Sequence, residues 1–233
     1  MRDPPRGHSD RDSHEASITK ASFKDYRAVF KVPSYLLDTL GMSAMFFGIY
    51  GISFFMPAYL QDHHAARDPN RATLIYGCLQ LVAGVTASLI GGVVGDLLQR
   101  RFGGAYFVVS AVSIFLSAAF ILLMLFSPFP QAWVWLFLAA FFIFFAIGPA
   151  NTILANVIHP SMRATAFALN IFLIYALGAT LAPPLMGELV DRYPSWRPAF
   201  YLVCATLAVG GVLWLCGARY LERDTQRAMR REG

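Results

Sequence analysis

Residues 102–158 read FGGAYFVVSAVSIFLSAAFILLMLFSPFPQAWVWLFLAAFFIFFAIGPANTILANVI, without a single Asp, Glu, Lys, Arg or His. A bilayer core takes about 20 apolar residues per helix, so this run is too long for one crossing. Ser127-Pro128-Phe129-Pro130-Gln131 divides it, because two prolines flanked by polar residues end one helix and start another as a tight hairpin. Working outward, further uncharged runs cover 39–61, 72–95, 164–187 and 198–218. Six spans follow, at about 33–60, 71–97, 103–127, 131–157, 162–189 and 196–220. Runs of this length in series leave no polar face for water, which excludes a soluble helical bundle.

Composition agrees. Of 233 residues, 57% are hydrophobic and 15% aromatic, above the roughly 45–50% apolar share of a soluble domain. The 14% that are charged gather between the spans. With the first segment inside, the inner pieces hold fifteen Lys and Arg residues and the outer pieces only Arg67, Arg71, Arg192 and Arg197. The positive-inside rule then places both termini in the cytoplasm. The net charge of +5 is a topology signal, and basic residues scattered over four loops and tails do not form a nucleic-acid surface. Cys78, Cys204 and Cys216 fall inside spans without pairing or metal-ligand spacing and read as small apolar filler.

Four regions are expected along the chain. Residues 1–21 are polar and without apolar period, a disordered cytoplasmic lead-in with no cleavable signal peptide. Residues 22–32 space Phe23, Tyr26, Val29 and Phe30 on one helical face with Lys24, Arg27 and Lys31 between them, an interfacial amphipathic helix. Residues 33–220 form the six-helix domain, and 221–233 a cytoplasmic tail. The short connections leave no room for a catalytic domain.

A shift of 95 residues lays Gly92-x-x-x-Asp96 on Gly187-x-x-x-Asp191, the first span on the fourth and the third on the sixth. Two units of three helices starting from opposite sides are inverted repeats. At the inner end of the second span stands Gly92-Val93-Val94-Gly95-Asp96-Leu97-Leu98-Gln99-Arg100-Arg101. A glycine one turn before the carboxylate admits a neighbouring helix, the carboxylate can meet that neighbour's positive N-terminus, and the arginines anchor the loop at an anionic surface. The bland reading is an ordinary charged loop with an Asp–Arg pair four residues apart, worth a few tenths of a kcal/mol.

The run resembles the G-x-x-x-D-R-x-G-R-R loop of the major facilitator superfamily, with Gly92, Asp96, Arg100 and Arg101 in register and Leu97 and Gln99 departing from it. The stretch from Gly148-Pro149-Ala150-Asn151 through His159-Pro160-Ser161-Met162-Arg163-Ala164-Thr165-Ala166 to Pro183-Pro184-Leu185-Met186-Gly187 is similar to the spinster-like branch. The resemblance implies an all-α membrane protein built as half of a twelve-helix transporter, here the C-terminal half, six helices as two inverted repeats. It implies alternating access as the mechanism and a lipid-like or small organic solute. The branch often carries a His and an Asp in the penultimate helix; here Tyr175 and Ala179 stand there, which removes two titratable groups.

Candidates for lining a cavity are Tyr50, Gln80, Asn151, Asn170 and Tyr175, polar or aromatic groups well inside spans; each amide reads either as interhelical glue or as a solute contact. Pro57, Pro149, Pro183 and Pro184 mark kinks, either static or gating. Asp38 and Asp96 fall near the inner surface and Glu188 and Asp191 near the outer, so no deep carboxylate is expected for ion coupling. No Walker loop, metal-binding His pair or nucleophile motif appears, so neither an enzyme nor a cofactor or metal is expected. Nor is there a filter loop or charged ring for a channel. The expected partners are membrane lipids, a small-molecule solute and a second six-helix half, a heterodimer fitting better than a homodimer. The expected location is a plasma or bacterial inner membrane. A non-transporting assembly partner, or the remnant of a transporter gene, is the alternative reading.

Overall fold

The computed structural model describes residues 29–63 and 68–229. The expected lead-in at 1–21 and all but the end of the interfacial helix at 22–32 lie outside the described residues.

Among the described residues, six helices are long and apolar enough to cross a membrane. The first three spans are α1 (Pro33–Asp62), α2 (Pro69–Gln99) and α3 (Ala105–Phe126). The fourth joins α4 (Gln131–Phe145) to α5 (Ile147–Val157). In the fifth, a 3-10 turn (Pro160–Met162) leads into α6 (Arg163–Leu173), a π-helical segment (Ile174–Ala179) and α7 (Ala182–Arg192). The sixth is α8 (Arg197–Ala218), followed by a short helix α9 (Leu221–Met229). Every span starts and stops within a few residues of the expected position, because a uniform apolar run bounded by charges leaves little choice.

The packing repeats under exchange of the two halves of the sequence. The first span lies along the sixth and against the π segment of the fifth; correspondingly, the fourth lies along the third and against the second. The inverted repeat expected from the shift of 95 is therefore visible in which helix touches which. Since hydrocarbon outside is as apolar as a leucine inside, these contacts depend on close fit. A Cβ added to Gly210 of α8 would come 2.7 Å from the Ala44 methyl of α1. Across the third and fourth spans, the Ser117 hydroxyl donates to the Ala139 carbonyl at 2.8 Å.

The prolines act differently from one another. Pro57 lies within a helix that runs unbroken. It leaves the Ser53 carbonyl without its helical partner, and the Ser53 hydroxyl there accepts from Gln80 at 3.3 Å. Pro149 follows the break between α4 and α5. The carbonyl it frees is that of Phe145, which presses on Gly91 of α2 so closely that any side chain there would collide with it. Pro183 and Pro184 open α7, just after the helix has widened so that the Thr180 N–H donates to the Tyr175 carbonyl at 2.9 Å. A π segment is one way a helix absorbs interrupted hydrogen bonding, and such segments gather at functional sites.

The expected tail holds more order than its charge suggests. Val32 gives α1 no side-chain cap. The buried carboxylate of Asp224 in α9 supplies one, accepting from the Ser34 N–H at 3.1 Å and from the Ser34 hydroxyl at 2.8 Å. Arg223 pairs with the other oxygen at 3.2 Å, and Leu221 is buried beside it.

Candidate functional site

Two places gather the residues singled out from the sequence. At the first, Asp96 lies in the last turn of α2 and accepts from the hydroxyl of Tyr106, second residue of α3, at 2.8 Å. Gln99, one of the residues that depart from the family loop, donates to the Gly103 carbonyl at 2.9 Å and accepts from the Tyr106 N–H at 3.3 Å. Among the described residues the ion pair found is Arg223–Asp224, so the Asp96–Arg100 pair of the bland reading does not form. Arg100 caps α2, and both it and Arg101 are exposed. A neighbouring helix, α5, does approach α2 at Gly92, but the glycine that permits it is Gly148: a Cβ there would stand 2.8 Å from the Gly92 nitrogen and 2.9 Å from its Cα, whereas a Cβ on Gly92 would meet nothing within 4 Å.

This geometry makes Tyr106 a partner of the carboxylate that the sequence reading missed. In a twelve-helix transporter, Asp96→Asn and Tyr106→Phe should slow cycling by similar factors of several-fold, while Glu188→Gln has little effect. Initial rates of solute uptake check this; an effect of Asp96→Asn without one of Tyr106→Phe would remove the hydroxyl from the account.

The second place is the face along the first and fifth spans. Tyr50 and Tyr175 bring their hydroxyls to 3.2 Å, with ring centroids 5.6 Å apart, and Phe46 joins both, 6.1 Å from Tyr50 and 5.6 Å from Tyr175. Tyr50 is 37% and Tyr175 44% exposed, so the cluster presents two hydroxyls on an apolar wall. What brings the spans this close is Gly178 in the π segment, packed on the Ser43 carbonyl and the backbone of Phe47.

Asn170 is buried nearby, with its amide on the Met42 sulfur at 3.6 Å and its carbonyl oxygen without a partner. Gln80 bonds to Tyr76 and Ser53, an interhelical tie between the first two spans. It also lines a cavity of about 20 Å³ shared with Ile49, Ile52, Ser117, Leu136 and Ile143, room for little more than a water. Asn151 does not join either group; it donates to the Ile147 carbonyl of its own helix at 3.0 Å and is exposed.

Asp38 lies close to the start of α1, as its place near the span boundary implies, and is fully buried, with Oδ1 accepting from the Trp214 indole of α8 at 3.1 Å and Oδ2 without a partner. Nothing in the sequence showed Asp38 to be buried. The large indole, seated against Gly41, covers it.

Around this core the least covered spans are the second and fifth, where 22% and 28% of the most apolar window is buried against 61% in the first. Leu74, Leu81 and Leu89 on α2 and Phe172 and Leu177 in the fifth span point away from the bundle.

Comparison with known proteins accords with this arrangement. The chain is 28% identical over 223 residues to the "Probable sphingolipid transporter spinster homolog 2" of Arabidopsis thaliana, covering 91% of this chain and 44% of that protein. It is 28% identical to "Protein spinster homolog 1" of Xenopus tropicalis, covering 97% and 48%. It thus spans about half the length of the curated relatives it matches. The fold matches a crystal structure of a bacterial homolog to the human lysosomal transporter Spinster, inward-facing and unoccupied, with a TM-score of 0.62 at 19% identity, over 99% of this chain and 55% of that one. The sequence profile of the Major Facilitator Superfamily matches residues 1–183, and the chain belongs to that superfamily as an integral, multi-pass membrane protein with spinster proteins among its relatives.

Proposed function

We propose that this six-helix unit is the C-terminal half of a secondary transporter that moves a lipid-like or other small amphipathic solute by alternating access, and that it works against a second six-helix half. The observation that carries the reading is the uncovered face of the second and fifth spans beside the Tyr50–Tyr175 pair. The superfamily places its solute site between two halves related by an axis along the membrane normal. The cavity at Gln80, about 20 Å³, is far below the roughly 300 Å³ of a small-molecule site. A solute therefore binds on the open face, where tyrosine hydroxyls can meet a polar head and Phe46 an apolar chain. The sphingolipid transporter among the relatives supports an amphipathic cargo. Both termini face the cytoplasm, and the outer-side loop includes His63. The membrane is a plasma or bacterial inner membrane. A heterodimer-like pairing with an N-terminal half fits better than a homodimer, since two copies of this half would present the same face twice.

The test is flux in proteoliposomes holding this unit with an N-terminal half, using a fluorescent lysolipid or sphingoid base under an imposed gradient. Uptake is expected with both halves and not with this one alone. No movement of any solute by the pair would leave the non-transporting reading. Cysteines placed at His63 and Gln99 should be labelled from outside and inside respectively, and the reverse pattern would overturn the orientation.

A further inference from the structure

We infer that Asp38 is a proton-binding site: it holds a proton as a neutral acid while the first and sixth spans are packed together, and gives it to water at the α9 end of the bundle when they part. The carboxyl is fully buried, and so are Ser34 and Tyr35 on the turn before it. Oδ1 has one donor, the Trp214 indole N–H, which also reaches the Asp38 carbonyl at 3.4 Å. Oδ2 has none. Among the described residues the carboxyl meets a single neutral donor and no cation; a carboxylate so placed costs far more than the corresponding acid, so the proton stays where water cannot enter. Release is a simple dissociation, in which the O–H bond breaks, the electron pair remains on the carboxylate and water takes the proton.

Among the described residues, the neighbouring charges do not supply a counter-ion. On α1 itself, the Tyr35 hydroxyl donates to the Ala166 carbonyl of the fifth span at 3.0 Å. Lys31 before α1, Arg163 opening α6, Arg219 closing α8, and Glu222, Arg223 and Arg227 on α9 are all exposed. Asp224 is committed to Ser34 and Arg223. His159, after α5, bonds Ser161 at 2.7 Å, and on α2 Asp96 bonds Tyr106 while Arg100 is exposed. None of them forms an ion pair with Asp38.

The position ties the proton to a conformational change. Tyr35, Asp38 and Ser34 join α1 to the fifth span, to α8 and to α9 within two turns. Parting α1 from α8 withdraws the indole and admits water at the same moment.

The experiment is infrared spectroscopy of the full chain in dodecyl maltoside, a detergent without ester carbonyls, after removal of bound phospholipid and at neutral pH. A carbonyl band of a protonated carboxyl is expected above the amide envelope, lost in Asp38→Asn and moved to higher frequency in Trp214→Phe, where the carbonyl loses its indole donor. Labelling aspartate with carbon-13 at the carboxyl should lower the band in the unsubstituted protein, which gives a readout without a variant. Asp38→Asn keeps an acceptor for the indole and should melt within a few degrees of the parent. Absence of the band at neutral pH, its persistence in Asp38→Asn, or its indifference to labelled aspartate would overturn the assignment.

Discussion

Trp214→Ala should destabilise the bundle by about 3–5 kcal/mol, the cost typical of deleting a large buried aromatic. The indole is fully buried, lies against Gly41 of α1 and is the one donor to the Asp38 carboxyl among the described residues. Its loss opens a void between the first and sixth spans and removes the partner of an already half-satisfied carboxyl. Trp214→Phe fills most of the volume and should cost clearly less. Thermal unfolding in detergent, followed by the static light scattering of aggregates, ranks the two. Melting temperatures of both variants equal to the parent's would mean that the indole contributes neither packing nor a hydrogen bond.

Gly178→Leu should have the second-largest effect. A Cβ at this position runs into the Ser43 carbonyl of α1, and backbone cannot yield as a side-chain tip can. The fifth span must move off α1 or the side chain must distort, at about 1–3 kcal/mol for overpacking and more where it cannot relax. Moving off would break the Tyr50–Tyr175 hydrogen bond and the Phe46 contacts, so solute transport should fall by an order of magnitude or more even where the protein still folds. Gly178→Ala should give an intermediate result. Unimpaired transport in Gly178→Leu would show that the aromatic cluster and the π segment are incidental to the solute path.

The six spans were legible because the bilayer imposes a length on apolar runs, and the Ser127–Gln131 interruption needed only the chemistry of proline. The repeat was legible from Gly92 and Asp96 against Gly187 and Asp191, and the packing follows it. Less could be read where a residue's role depends on which distant side chain covers it. Asp38 stands near a span boundary, yet burial by Trp214, 176 residues away, decides its environment. Asn151 and Asn170 look alike in sequence, but one bonds its own helix and the other is buried against Met42. The π segment left a faint signal, Gly178 followed by Pro183-Pro184, which marks carbonyls without partners without saying how the helix takes up the slack. Tyr106 left none, since a tyrosine at the start of a span is an ordinary interfacial residue until Asp96 is seen beside it.

The cap on α1 sets an order of events for biogenesis. Ser34 and Asp224 are 190 residues apart, so at a synthesis rate of about 5–20 residues per second the first span waits roughly 10–40 s for the carboxylate that closes its N-terminus. During that interval its first turn is held only by water and lipid headgroups. The early spans can enter the bilayer one after another, but the bundle locks at that end only when α9 emerges from the ribosome. A chain truncated before Asp224 would thus hold all six spans and still lack the cap on its first turn.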